Sequence, residues 1–268
     1  MTTIREAGSS RMLHLGFALI LLFLLVPLLV IIPMSFSETR YLAFPPVGFS
    51  LKWYGAFFQN PRWIGALGWS VGVAICAALV AVPAGVCAAL YLRHRSGAVV
   101  NVVLGALLGA QIVPTIILAL GIRLVTAPFT GSLPVVVVTL AHATLALPFV
   151  VATVLPVLNK LDVSVEKAAR MCGATPVQAF RHITIPAIRP ALVGAFVFSF
   201  FVSFDELMIA LFTFQTIETL PVRIWGEVRQ ELTPVIAAAT SMLIAATTAA
   251  VIVGQAHIVR ASSRLADK

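Results

Sequence analysis

A chain of 268 residues with 60% hydrophobic side chains, 10% charged ones and a mean hydropathy of +1.04 lies far outside soluble usage. That composition excludes a soluble enzyme and leaves an integral membrane protein. The net charge of +8 is distributed as membrane topology demands, and no basic patch interleaved with aromatics points to nucleic acid.

Charge-free intervals cover residues 12–37, 63–92, 96–122, 124–159 and 232–259, and a sixth apolar stretch, 190–214, is interrupted only by Asp205 and Glu206. Each is long enough for the about 20 helical residues that cross a hydrocarbon core. The expected architecture is all-α, with six transmembrane helices over residues 12–259. The flanking residues 1–11 and 260–268 and the hydrophilic loop 159–190 are expected in the cytoplasm. Arg5 and Arg11 precede an apolar run longer than a signal-peptide core and without a cleavage site, so the first segment is expected to stay as an uncleaved helix. With the amino terminus inside, the inner segments hold 12 Lys and Arg and the outer ones 5, which satisfies the positive-inside rule.

Within the spans, Pro83, Pro114, Pro148 and Pro156 predict kinks. Gly68 with Gly72, and Gly105 with Gly109, allow ordinary close helix packing. Cys76, Cys87 and Cys172 form no disulfide framework and read as reduced packing residues. The loop after the first span mixes turn formers and aromatics over residues 44–54, which suits the outer membrane surface.

The loop 159–190 specifies two short helices and a tight turn. Asp162 or Ser164 caps a helix whose apolar positions Val165, Ala168, Ala169 and Cys172 share a face, with Glu166, Lys167 and Arg170 turned elsewhere. Gly173 follows as a left-handed stop. Thr175, Pro176 and Gln178 form a capping box with proline at the first helical position. The second helix presents Val177, Phe180 and Ile183 and is expected to end before Thr184-Ile185-Pro186.

Glu166-Lys167-Ala168-Ala169, then Gly173, then Ile185-Pro186 twelve residues later, resembles the EAA loop of permease subunits of ATP-binding-cassette importers. A Lys is inserted in the Glu-Ala-Ala tripeptide and Ile-Pro replaces Leu-Pro. The stretches Ser203-Phe204-Asp205-Glu206, residues 219–225, and Pro234 with Ile236-Ala237-Ala238 are similar to the second permease of spermidine/putrescine-type importers, a likeness running from about residue 13 to 259. The resemblance implies a type I importer (MetI-like) fold with a peripheral first helix. It implies coupling through Glu166, Ala168, Ala169, Gly173, Phe180, Ile185 and Pro186. The implied partners are a homologous permease, two nucleotide-binding ATPase subunits and an external solute-binding protein.

Catalysis is not expected of this chain. No Gly-x-x-x-x-Gly-Lys-Ser/Thr loop occurs, so ATP belongs to a partner subunit; five scattered histidines offer no metal site, and no cofactor is expected. For a substrate pathway the polar candidates are Asp205 and Glu206, which carry the cost of charge at membrane depth, Gln111 and Thr115 at four-residue spacing, and His142. Two readings stand for His142, a hydrogen-bonded packing residue or a substrate contact. Three stand for the carboxylates: a pathway, a subunit contact, or the outer interface with Arg223 or Arg229 as partner. The implied cargo is a small cationic or amino compound such as spermidine or putrescine. Alternatives are an opine, an amino acid or another small solute, and, from other classes, an ion-coupled secondary transporter or a scaffold.

Overall fold

The structure, a computed structural model, describes residues 3–95, 97–109, 111–129, 134–214 and 217–266; the side chains of residues 3–11, 251 and 253–266 are outside the description. Among the described residues all regular structure is helical. In chain order the helices are α1 (Thr3–Met34), α2 (Lys52–Gln59), α3 (Pro61–Arg93), α4 (Ala98–Gly109), α5 (Thr115–Thr126) and α6 (Pro134–Lys160). They continue with α7 (Val163–Met171), α8 (Pro176–Ala179), α9 (Ile185–Phe204), α10 (Met208–Thr213), α11 (Leu220–Gln230) and α12 (Pro234–Ala266).

Four helical stretches among the described residues are long and apolar enough to cross a membrane: Met12–Met34, Pro61–Arg93, Pro134–Lys160 and Pro176–Phe204. The expected third span is split. Pro114 has no N–H and adopts φ −54, ψ 129, so the ladder stops there and α4 and α5 remain as two twelve-residue pieces. Each piece rises only about 18 Å, so a crossing needs both. Pro83, Pro148 and Pro156, by contrast, lie inside continuous helices. Ser96, residues 130–133 of the expected outer loop and the last two residues of the expected cytoplasmic tail lie outside the described residues.

The chain divides into two units. One holds Met1–Ile64 and Ile224–Lys268, in which α1 and α2 each pack on α12. The loop after α1 is tied down by its own polar groups. Ser35 Oγ and Tyr54 OH lie 2.7 Å apart, Trp53 Nε1 donates to the Ser37 carbonyl at 2.7 Å, and Lys52 Nζ donates to the Glu38 carbonyl. These bonds leave Tyr41, Phe44 and Phe49 exposed, as an interfacial loop requires.

The other unit is Gly65–Arg223. Its core is a three-helix seam made mostly of small and β-branched residues. Ala77, Ala81 and Ala89 of α3, Ala143, Ala146, Val150 and Val154 of α6, and Ile188, Ala191 and Ala195 of α9 are all buried in it. Lipid gives helices no hydrophobic reason to associate, so small residues that let backbones approach supply the dispersion contact instead. The closest approach is at Gly85, where a Cβ would stand 2.5 Å from Val150 Cγ1. Gly68, Gly72, Gly105 and Gly109, the pairs picked out by spacing, have nothing within 4 Å of such an atom. Likewise the three cysteines are free thiols but exposed rather than packed.

The second loop helix does not end before Thr184. It runs unbroken from Pro176 to Phe204 through a π-helical turn at Phe180–Thr184. In that wider register the Ile185 N–H reaches the Phe180 carbonyl five residues back, and the turn absorbs Pro186, which has no donor and whose ring would strike an α-helical carbonyl.

Substituting Gly85 tests the seam. Gly85→Leu is expected to cost about 1–3 kcal/mol, seen as a lower melting temperature of the purified complex in detergent. Val150→Ala in the same chain should recover part of that loss, because it removes Cγ1, 2.5 Å from the new Cβ, while the Val150 Cβ at 2.6 Å remains.

Candidate functional site

Loop 159–190 begins at the end of α6. The Asp162 carboxylate accepts from the Ser164 amide at 2.8 Å and so caps α7; hydrogen bonds from Ser164, hydroxyl first and amide second, hold its pKa below the ordinary value. At the other end, Gly173 takes φ +93, its N–H donates to the Arg170 carbonyl and the Ala174 N–H donates to the Ala169 carbonyl. That pair of bonds is the Schellman stop, and the positive φ is why glycine stands there. Thr175 then starts α8 by a reciprocal exchange: Gln178 N–H donates to Thr175 Oγ1 at 3.2 Å, and Thr175 N–H to Gln178 Oε1 at 2.8 Å. Local sequence therefore sets the two caps and the stop between them, as expected.

Where the loop attaches is not local. Glu166 Oε1 accepts from Arg93 Nη1 at 3.1 Å and from Thr184 Oγ1 at 2.6 Å, and Arg93 Nη2 donates to the Leu161 carbonyl at 3.0 Å. The Arg93 side chain is 4% exposed and that of Glu166 24%. One carboxylate oxygen thus joins α7, the end of α3 and the π turn leading into α9, while the same guanidinium holds the carbonyl just past α6. Glu166 has a pKa below its ordinary 4.5, because of the Thr184 bond first and the Arg93 bond and charge next, with His94 adding a weaker charge. Sequence reasoning missed Arg93 and Thr184, which stand 73 and 18 residues from Glu166.

This arrangement turns Glu166 inward, while Lys167 and Arg170 of the same helix are exposed. Glu166 and Arg170 line a cavity of about 110 Å³ with Arg93, His94, Phe180 and Thr184. Of the expected apolar face, Val165, Ala168 and Cys172 are exposed and Ala169 is half-buried. Met171 is 88% exposed and Val177 72%. Of the remaining loop residues singled out, Phe180 packs on the three-helix core, Ile185 is half-buried and Pro186 exposed.

The membrane polar groups fall in different places. Asp205 and Glu206 do not sit within a span, because α9 ends at Phe204 and the chain turns before α10. Asp205 is exposed, whereas Glu206 Oε1 accepts the Ile209 N–H at 3.0 Å and so caps α10. Arg223 lies 3.6 Å from Glu218. Gln111 and Thr115 share no helix face, since residues 111–114 form the break between α4 and α5. Gln111 Nε2 instead donates to the Leu145 carbonyl of α6 at 2.7 Å. His142 is 1% exposed; its Nδ1 lies 2.8 Å from Ser203 Oγ and its Nε2 is buried with no hydrogen-bond partner among the described residues. A hollow of about 600 Å³ between α5, α6 and α10 is lined by Ile117, Leu140, Thr144, Ile209 and other uncharged residues, which suits no ion. Among the described residues no cluster of metal-ligating side chains occurs.

A bundle of apolar helices, broken at polar residues and fitted with a rigid, doubly capped loop whose apolar side faces out, defines a membrane transport subunit. The chain belongs to the family described as binding-protein-dependent transport system inner membrane component, which matches residues 81–263. It is thus a permease subunit of an importer of the ATP-binding-cassette kind, a multi-pass inner-membrane protein.

Among its relatives, the putrescine transport system permease protein PotI of Escherichia coli is 29% identical, over 92% of this chain and 89% of that protein. The spermidine/putrescine transport system permease protein PotC of Haemophilus influenzae is 31% identical, over 87% and 91% respectively. In fold the chain resembles a subunit of a bacterial ABC transporter involved in the import of the acidic polysaccharide alginate, at 17% identity and a TM-score of 0.62, covering 95% of this chain and 97% of that one. A second structure, of the alginate transporter in complex with its alginate pentasaccharide-bound periplasmic protein, gives 0.66 at 17% identity, covering 93% and 92%.

Because the Glu166 pKa is depressed in the folded protein, the stability its bonds contribute is complete at neutral pH and is lost as pH falls from the ordinary 4.5 through the folded value. The difference in melting temperature between the wild-type protein and Glu166→Gln should therefore be largest near neutrality and shrink below that point. A difference that grows on acidification contradicts the geometry.

Proposed function

We propose that this permease carries a polyamine such as putrescine or spermidine inward and that loop 159–190 docks on a nucleotide-binding subunit. What supports the cargo is that relatives named for putrescine and spermidine transport align along 92% and 87% of this chain. What supports the docking is the exposed apolar side of the loop at Val165, Met171 and Val177, which has no cover in its own chain.

In this reading both termini and the loop face the cytoplasm, in line with the excess of Lys and Arg on that side. The complex consists of this chain, a homologous permease in heterodimer with it, two ATPase subunits and an external solute-binding protein. ATP is bound and hydrolysed by the partner, and this chain needs no cofactor. Closure of the motor moves the segment from Glu166 to Gly173, with Ala168 and Ala169 in it, and the helices open outward to receive substrate. A polyamine brings positive charge, and a carboxylate with no other partner is its natural counter-charge. Of the two candidates Asp205 fits that role better, because Glu206 already holds the Ile209 amide. Gln111, Thr115 and His142 belong to the supporting helices rather than to a charged binding surface.

Uptake of radiolabelled putrescine into proteoliposomes holding the whole complex, with ATPase activity measured alongside, tests the reading. Asp205→Asn is expected to lower uptake about tenfold, the worth of one charge-assisted contact, with assembly unchanged. Glu206→Gln keeps an acceptor for the Ile209 amide and is expected to transport at close to the wild-type rate. Absence of ATP-driven putrescine or spermidine uptake by the wild-type complex overturns the cargo, and unaltered uptake by Asp205→Asn overturns the role of that carboxylate.

A further inference from the structure

We infer that Arg93 is the positioning residue that couples the loop to the membrane helices, with Thr184 as the second tie on the same carboxylate. The inference rests on the docking of the loop proposed above and assigns its internal end. In the loop as folded, Glu166 Oε1 faces its own chain, where both of its bonds come from membrane-helix ends.

Arg93 suits this task for three reasons. Its side chain is 4% exposed, so it faces its own chain rather than a docked subunit. It closes α3, and its planar fork meets two acceptors at once, the Glu166 carboxylate and the Leu161 carbonyl. Among the described residues Glu166 is the one carboxylate paired with it, so a shift of α7 away from α3 strands a buried cation. Thr184 extends the tie into the π turn, which is continuous with α9. Any displacement of α7 is therefore shared by the ends of α3, α6 and α9, the first and last of which also meet α6 in the buried seam. The loop acts as a handle fixed at one point to three helices, with no slack for a flexible hinge.

The test uses the whole complex in proteoliposomes and compares Arg93→Gln, Arg93→Lys, Thr184→Val, Thr184→Ser and the exchange of Arg93→Glu with Glu166→Arg. Expected are retained copurification of the ATPase subunit and retained basal hydrolysis, with putrescine taken up per ATP reduced about tenfold in Arg93→Gln, the worth of one charge-assisted hydrogen bond. Arg93→Lys, which keeps the charge but loses the fork, should fall between Arg93→Gln and wild type. Thr184→Val should lose coupling without stranding a charge, and Thr184→Ser should keep it. The exchanged pair should regain part of what each single change loses, short of wild type because the Leu161 carbonyl loses its donor.

A second readout needs no substrate. Spin labels at the exposed Tyr91 on α3 and Met171 on α7 should keep one narrow distance with and without ATP in the wild-type complex, and a nucleotide-dependent spread in Arg93→Gln. Wild-type coupling in both Arg93→Gln and Thr184→Val overturns the inference. So does loss of uptake that only tracks loss of assembly in every variant, which marks a folding role. Failure of the parent reading looks different: no ATPase subunit copurifies with the wild-type chain. Copurification without putrescine uptake removes the cargo alone, and the spin-label distances still decide the role of Arg93.

Discussion

Hydrocarbon offers no hydrogen bonds, and that constraint governs where this chain can stop being helical. At three interruptions among the described residues a nearby group braces or completes the ladder. At the break before Pro114, Gln111 reaches across to the Leu145 carbonyl of α6. At the break after Phe204, the Glu206 carboxylate receives the Ile209 N–H that starts the next helix. At Pro186 the backbone widens to a π turn and the Ile185 N–H finds the Phe180 carbonyl. The Glu206 carboxylate is thus first of all a repair to the backbone, and its neighbour Asp205, which makes no such repair, stands apart from it.

The same solvent shapes the core. With no water to expel between helices, packing must come from contact at short range, and the seam of Ala77, Ala81, Ala146, Ala191 and Ala195 is the result. Gly85 against Val150 is its tightest point. A seam of this kind resists local bending, so a push at the ends of α3, α6 and α9 is passed on by the helices as bodies rather than absorbed by side-chain rearrangement. Arg93, Leu161 and Thr184 stand at those ends, and the network on Glu166 is therefore placed where rigidity is available to it.

What the sequence made legible follows the range of the interactions involved. The caps at Asp162 and Thr175 and the stop at Gly173 depend on residues within five positions and were read correctly. Spans, too, follow from local hydropathy, although their interruptions do not. Pro114 and Pro148 are the same residue type in equally apolar surroundings, yet one stands at the start of a helix and the other lies inside one. Spacing along the chain does not reveal which will happen. Small-residue spacing could not single out the contact for the same reason, since Gly68 with Gly72 and Ala81 with Gly85 and Ala89 carry the same four-residue spacing, while Gly85 alone of these three glycines makes the close contact. Arg93 read as one more basic residue at a span end, because its partner lies 73 residues away.

The amphipathic pattern of α7 was legible, but its sense was not. A helix with one apolar and one charged side ordinarily turns the apolar side toward its own core. Here the buried cation Arg93 draws the Glu166 carboxylate inward, and Val165, Ala168 and Cys172 stay exposed alongside Lys167 and Arg170. Apolar side chains at the loop surface are the consequence, and they make the loop dependent on a second chain for cover. The ion pair that fixes the handle to the membrane helices also turns its greasy side outward. Attachment within the chain and readiness to dock beyond it therefore come from a single interaction.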